Sequence, residues 1–302
     1  MSRASEKPRL WLPQHWPTWI GLGVFRIVSA LPWSIQRALA RLLGAVAYYL
    51  VPIRRHVVFV NLRLCFPERS AVEIRAIARS HYDSLALGIF ETCCGWWASP
   101  KRLPAHRIIG REYLAEAAAS GKGVVLLTAH FTTLELCARM MNEQFELGCL
   151  YRDPNNPVIA AQMRVQRERH VSIAVHFDDL KGLIRALRSG HAIWYAPDQG
   201  KRTKQTEILP FFGVPCITNT ATGKLAAMTH SPVVPYFARR ESDSTYTLTV
   251  LPALGDFPSD SASADAIRIN QLVEQYIRLA PEQYLWVHKR FKARGPGYPE
   301  VY

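Results

Sequence analysis

From about residue 105 the chain alternates short apolar runs with stretches in which apolar side chains recur at helical spacing. Gly123 to Thr128 (GVVLLT) is unbroken and apolar, the pattern of a strand buried on both faces. Further strands are expected over 146–151, 171–177, 191–196, 233–238 and 245–251, and a last one from Tyr284 to His288. Helices are expected over 133–145, 157–169, 179–189, 220–229 and 264–279. Gly190 suits the left-handed position that ends a helix. This alternation predicts an α/β domain with a largely parallel sheet flanked by helices. Residues 57–99, punctuated by Pro67 and Pro100, read as helical.

The amino terminus follows another pattern. Trp11, Trp16, Trp19 and Trp33 cluster with Pro13, Pro17 and Pro32. One apolar run, Trp16 to Trp33, is interrupted by Arg26; a second, Ala38 to Ile53, contains Arg41 and leads into Arg54, Arg55 and His56. A spanning helix needs about 20 apolar residues, so the first run is marginal. No small-residue cleavage site follows it, which argues against a cleaved signal. Interfacial tryptophans and flanking arginines suit a membrane surface; the competing reading is a hairpin buried on the domain. The expected division is a membrane-anchoring or interfacial helical segment, 1–56, and a catalytic domain, 57–302. No spanning candidate lies beyond 56.

Charge narrows the partners. Lys and Arg number 37 against 24 Asp and Glu, a formal net charge of +13. Such a surplus implies an anionic partner, without choosing among nucleic acid, membrane, phosphorylated substrate and acidic protein. The six cysteines form no C-x-x-C pair, so neither a zinc site nor a disulfide framework is indicated, and a reducing cytosolic environment fits.

The chemistry-bearing segment runs from Val124 to Glu135. His130 follows the end of a strand, where ligands gather in α/β sheets. On one helix, residues five apart point about 140° apart, so His130 meets Glu135 only from a turn ahead of the helix. Glu135 would then hold one imidazole nitrogen and leave the other to take a proton. The competing reading is a capping box, Thr132-x-x-Glu135, with Phe131 and Leu136 as its staple. Arg152, Arg164, Arg167 and Arg169 are candidates for anionic groups, or else a solvated face. Asp198 follows a strand ahead of Lys201, Arg202 and Lys204; the competing reading is a plain turn residue between Pro197 and Gly200. His288 to Lys292 (HKRFK) is either a headgroup site or a basic tail. There is no G-x-S-x-G, H-E-x-x-H or phosphate-binding loop.

Taken together, these pieces resemble the late acyltransferases of lipid A biosynthesis, the Kdo-lipid A lauroyl- and myristoyltransferase family. The resemblance runs from Trp16-Pro17-Thr18-Trp19 to Phe291-Lys292. It rests on Asn61-Leu62-x-x-Cys65-Phe66-Pro67-Glu68, His130-x-x-x-x-Glu135, Tyr151-Arg152 with Asn156-Pro157, Trp194 to Asp198, Pro210-Phe211-Phe212-Gly213 and Pro281 to Trp286. It implies a glycerolipid-acyltransferase-like fold and transfer from acyl carrier protein to a hydroxyl of a lipid A precursor. It implies no metal or other cofactor and no nucleic acid. His130 and Glu135 take the catalytic positions; Arg152, Arg167 and Asp198 match substrate-binding positions. The implied setting is the cytoplasmic face of the inner membrane, in contact with membrane lipid through a single amino-terminal anchor. The family often carries another acidic residue shortly after Asp198, where this chain has Gln199-Gly200-Lys201-Arg202. Two rivals remain: an acyltransferase for another glycolipid or glycerolipid, and a non-catalytic protein that binds anionic lipid.

Overall fold

The computed structural model describes residues 9–200, 202–295 and 297–302. Four helices come first: α1 (Trp16–Val28), α2 (Trp33–Leu50), α3 (Pro52–Cys65) and α4 (Ala71–Trp97). Then come β1 (His106–Ile109), α5 (Arg111–Ala119), β2 (Val124–Leu127), α6 (Leu134–Asn142), β3 (Leu147–Tyr151), α7 (Pro157–His170), β4 (Ala174–His176), α8 (Leu180–Arg188) and β5 (Ala192–Tyr195). A hairpin, β6 (Thr206–Phe211) and β7 (Val214–Asn219), precedes α9 (Ala221–Thr229), β8 (Val233–Arg240), β9 (Tyr246–Val250) and α10 (Ala262–Leu279).

Local chemistry sets several of these boundaries. Ser70 and Glu73 form a reciprocal capping box that starts α4. The Asn156 side chain accepts from the backbone of Val158 and Ile159, with Pro157 in the first turn of α7. Asp179 caps α8, and Gly190 beyond its end has φ +89°, the left-handed conformation expected of it.

The seven-stranded sheet has the order β1-β9-β8-β2-β5-β3-β4. β8, β2, β5, β3 and β4 run parallel; β9 is antiparallel to β8, and β1 is parallel to β9. The largely parallel α/β architecture therefore stands, with an antiparallel edge. Tyr284 to His288 is not a strand: Tyr284 makes a single bridge to Phe131, just after a 3-10 turn over Pro281–Gln283. β1, α5 and the β6–β7 hairpin were not expected. The hairpin interrupts the strand–helix alternation as a separate two-stranded sheet.

α4 crosses the start of α6 at very short range. A Cβ on Gly88 would lie 2.6 Å from the Thr132 carbonyl oxygen, so only glycine admits this approach. The crossing presses α4 against the loop that carries His130.

At the amino terminus α3 runs across residue 56, and α2 packs along α4. Residues 1–8 of the expected anchor lie outside the described residues. Among the described residues no single helix is long and apolar enough to cross a membrane; α2 and α3, bent by 92°, pass that test only as a pair. Their outer surface is apolar. Ile35, Leu39, Leu42, Val46, Tyr49 and Ile53 are exposed at alternating spacings of four and three, and on α1 so are Trp16, Trp19, Ile20, Val24 and Ile27. A continuous exposed stripe of this kind marks an interaction surface.

Candidate active site

Three adjacent parallel strands deliver the site from their carboxyl ends, where α/β sheets bind ligands. Leu127 of β2 pairs with Tyr195 of β5, and His130 and Asp198 each lie three residues further on. Arg152 directly follows β3, which pairs with β5 on its other side. His130 sits in the turn before α6.

The carboxylate at His130 is Asp198. Its Oδ1 faces His130 Nδ1 at 2.6 Å, and its Oδ2 accepts from the His130 backbone N–H at 3.1 Å and from the Tyr284 hydroxyl at 3.0 Å. An ionised carboxylate only accepts, so Nδ1 carries the proton and Nε2 has the lone pair. No protein hydrogen bond to Nε2 exists among the described residues. Asp198 is nearly fully buried, whereas the His130 side chain is 30% exposed and faces the adjoining cavity. Burial opposes charge on His130, but the charge and hydrogen bond of Asp198 outweigh it, with Arg167 opposing, and the imidazole is held above its ordinary value. Burial raises the Asp198 carboxyl, but His130 and Tyr284 more than reverse this, bringing it down to about 2.

Two expectations are corrected here. Glu135 does not hold His130; it pairs with Arg167 and accepts from Trp96 Nε1 at 3.3 Å. The reason is helical geometry. α6 begins at Leu134 after Thr133, so Glu135 is its second residue and points to α7. The capping box fails for the same reason, since no side chain caps α6. Asp198, expected to bind substrate, is buried and already engaged by His130 and Tyr284.

Arg167 is brought to the site by Glu135. Burial disfavours both charges, yet their mutual attraction lowers the Glu135 carboxyl and raises the Arg167 guanidinium. Arg152 is exposed at the cavity rim. Arg164 pairs with Asp153 at 3.1 Å, and Arg169 is exposed. Lys201 lies outside the described residues. The basic segment near the carboxyl terminus is no solvated tail: Arg290 is buried and donates to the Ile217 carbonyl at 2.6 Å. Burial pushes His288 down to about 4 despite the charge of Asp198, with Lys292, Arg290 and His130 adding to the fall.

A cavity of about 350 Å³ opens beside His130. α4, α6 and α7 wall it, with β3 and β5 behind. Glu135, Arg167 and Arg152 lie in its lining together with Leu134, Ala138, Met163 and Trp194. Asn156 Nδ2 donates to Thr18 Oγ1 at 3.0 Å, tying α1 to the start of α7. The exposed apolar helix α1 is thereby joined to a wall of the cavity.

His130, held at Nδ1 by Asp198, thus stands at the mouth of a largely apolar cavity with the Arg167 guanidinium in the same lining. The chain belongs to the bacterial lipid A biosynthesis acyltransferases: the model of that family matches residues 3–293. It is 36% identical over 293 residues to a lipid A biosynthesis lauroyltransferase of Escherichia coli K12, covering 96% of each chain. A palmitoleoyltransferase from the same organism is 32% identical over 96% of this chain and 95% of its own. A myristoyltransferase, also from E. coli K12, is 26% identical over 96% and 91%. Among solved structures, the 1-acyl-sn-glycerophosphate acyltransferase PlsC from Thermotoga maritima matches with a TM-score of 0.39 and 12% identity, over 82% of this chain and 97% of its own.

The sequence concealed two participants. Tyr284 lay within a recognised motif without a role, and Trp96 lay in a helical run without any signal of its own. The Asp198–His130 pairing, 68 residues apart, could be read only by knowing that β2 and β5 are neighbours.

Proposed function

We propose that the protein transfers a fatty acyl chain from acyl carrier protein to a hydroxyl of a lipid A precursor, with His130 as general base. One observation carries this reading: the imidazole is held at Nδ1 by a buried carboxylate and is open at Nε2 beside an apolar cavity. Nε2 takes the acceptor hydroxyl proton as the oxygen attacks the thioester carbonyl. Asp198 keeps the tautomer and stabilises the imidazolium. The tetrahedral adduct collapses, the C–S bond breaks, and the departing thiolate recovers the proton from His130. A thiol of pKa near ~8.5 leaves readily, so a strong acid is unnecessary and no covalent enzyme intermediate is required.

Glu135 acts through Arg167, holding the guanidinium beside His130 where a phosphate or carboxylate of the substrates can be bound; Arg152 extends this positive field to the rim. The apolar part of the cavity takes the acyl chain. The charge of +13 suits both an acidic carrier protein and anionic lipid. The exposed stripes on α1 and α2 seat the protein on the cytoplasmic face of the inner membrane, with the cavity beside the bilayer.

The test is transfer from acyl carrier protein to a purified lipid A precursor, read by mass spectrometry. His130→Ala is expected to fold normally and to lose activity by about 10²–10⁴-fold. Full activity in folded His130→Ala protein would contradict the mechanism.

A further inference from the structure

The segment Pro281 to Trp286 is a recognisable motif that the reaction scheme leaves unused. Three of its consecutive residues hold the active-site loop. The Gln283 carbonyl accepts from Thr132 N–H at 2.8 Å, and Leu285 N–H donates to the His130 carbonyl at 3.0 Å. Between them Tyr284 bridges to Phe131 and sends its hydroxyl to Asp198 Oδ2. The segment is itself anchored. The Gln283 side chain bonds both the N–H and the carbonyl of Arg240 at 2.9 Å, and Arg240 is bidentate to Glu91 of α4.

We infer that Tyr284 is a positioning residue for acyl transfer: its buried hydroxyl fixes the Asp198 carboxylate so that Oδ1 meets His130 Nδ1, and it draws off part of the charge that the imidazole faces. The inference rests on His130 being the base. Without the hydroxyl, Oδ2 keeps only the His130 backbone N–H, and the carboxylate gains rotational freedom. It also becomes a stronger acceptor, so His130 holds its proton more tightly. The ring has its own support, with centroids 5.8 Å from Phe131 and 4.9 Å from Trp286. Removing the oxygen alone therefore leaves the packing in place.

Among the described residues, the charged and titratable groups around His130 are Asp198, Arg167 with its partner Glu135, His288 and Tyr284. Asp198 is ionised and Arg167 charged at neutral pH. His288 is neutral there, and burial with the neighbouring Asp198 raises the Tyr284 hydroxyl well above its usual range. The acid limb of kcat/KM accordingly reports His130.

Tyr284→Phe is expected to lower kcat by about 10–100-fold, the loss expected when one hydrogen bond to a charged group is removed. KM for both substrates should stay within about twofold, the melting temperature should barely move, and the acid limb should shift to higher pH. A second variant, 3-fluorotyrosine at position 284, keeps the shape and strengthens the donor, so its limb should shift the opposite way. Wild-type kcat and an unmoved limb in Tyr284→Phe, or an unmoved limb in the fluorinated protein if Tyr284→Phe fails to fold, would overturn the inference. An active His130→Ala protein would instead remove the base on which it rests, so the two failures are distinguishable.

Discussion

Replacing Glu135 with alanine strips the counter-charge from Arg167 while leaving the guanidinium between α6 and α7. The two side chains are only 19% and 18% exposed, so the pair is mostly desolvated, unlike surface pairs worth about 0–1 kcal/mol. Removing one partner of such a pair costs about 3–5 kcal/mol, because the other charge remains in a poor environment. Arg167→Ala should cost a similar amount, leaving Glu135 with Trp96 alone. The double variant removes both charges and should cost well under the sum, with a coupling of about 2 kcal/mol or more. The assay is thermal and urea unfolding of the detergent-solubilised protein. At roughly 2–3 °C per kcal/mol, each single variant should melt on the order of 6–15 °C lower. Strict additivity would show that Glu135 and Arg167 are not partners. Coupling of Glu135 to His130 instead would restore the arrangement expected from their spacing.

Two further outcomes follow from the same geometry. Asp198 has its pKa lowered to about 2 from 3.8, so it contributes about 2 kcal/mol above pH 3.8 that is lost as pH falls towards 2. His130 has its pKa raised above 6.5, so its contribution is full below 6.5 and is lost as pH rises through the folded value. Denaturant titrations should therefore show the gap between wild type and Asp198→Asn narrowing in both windows, and a constant gap would refute the linkage. Ala138→Phe fills the cavity wall on α6 and should shift donor preference to shorter chains, read as kcat/KM ratios across acyl lengths; unchanged ratios would move the acyl chain elsewhere.

The strands that build the site were legible because parallel strands buried on both faces leave unbroken apolar runs. β2 and β5 read clearly for this reason. β1 (His106–Ile109) was not: only four residues long at the sheet edge, it alternates half-buried and exposed positions. Tyr284 to His288 looked like a strand because Tyr284, Leu285, Trp286 and Val287 are apolar, but Tyr284 is buried against Phe131 and Trp286 against Phe66, without strand pairing. Residue by residue the site was nearly all named in advance, while its wiring was not. Spacing along one chain segment left Glu135 open between partner of His130 and part of a capping box. Strand order, a property of the tertiary fold, placed Asp198 there and turned Glu135 to Arg167.

The most direct test of that wiring is the acid limb of kcat/KM in Asp198→Asn and in Glu135→Gln. In wild type it should lie above pH 6.5, because Asp198 raises His130. Asp198→Asn should move it below 6.5, since burial and Arg167 then act unopposed, and should lower kcat by about 10³–10⁴-fold through loss of the tautomer. Glu135→Gln should leave the limb above 6.5, whatever it costs in rate. A limb that falls in Glu135→Gln and holds in Asp198→Asn would contradict the account.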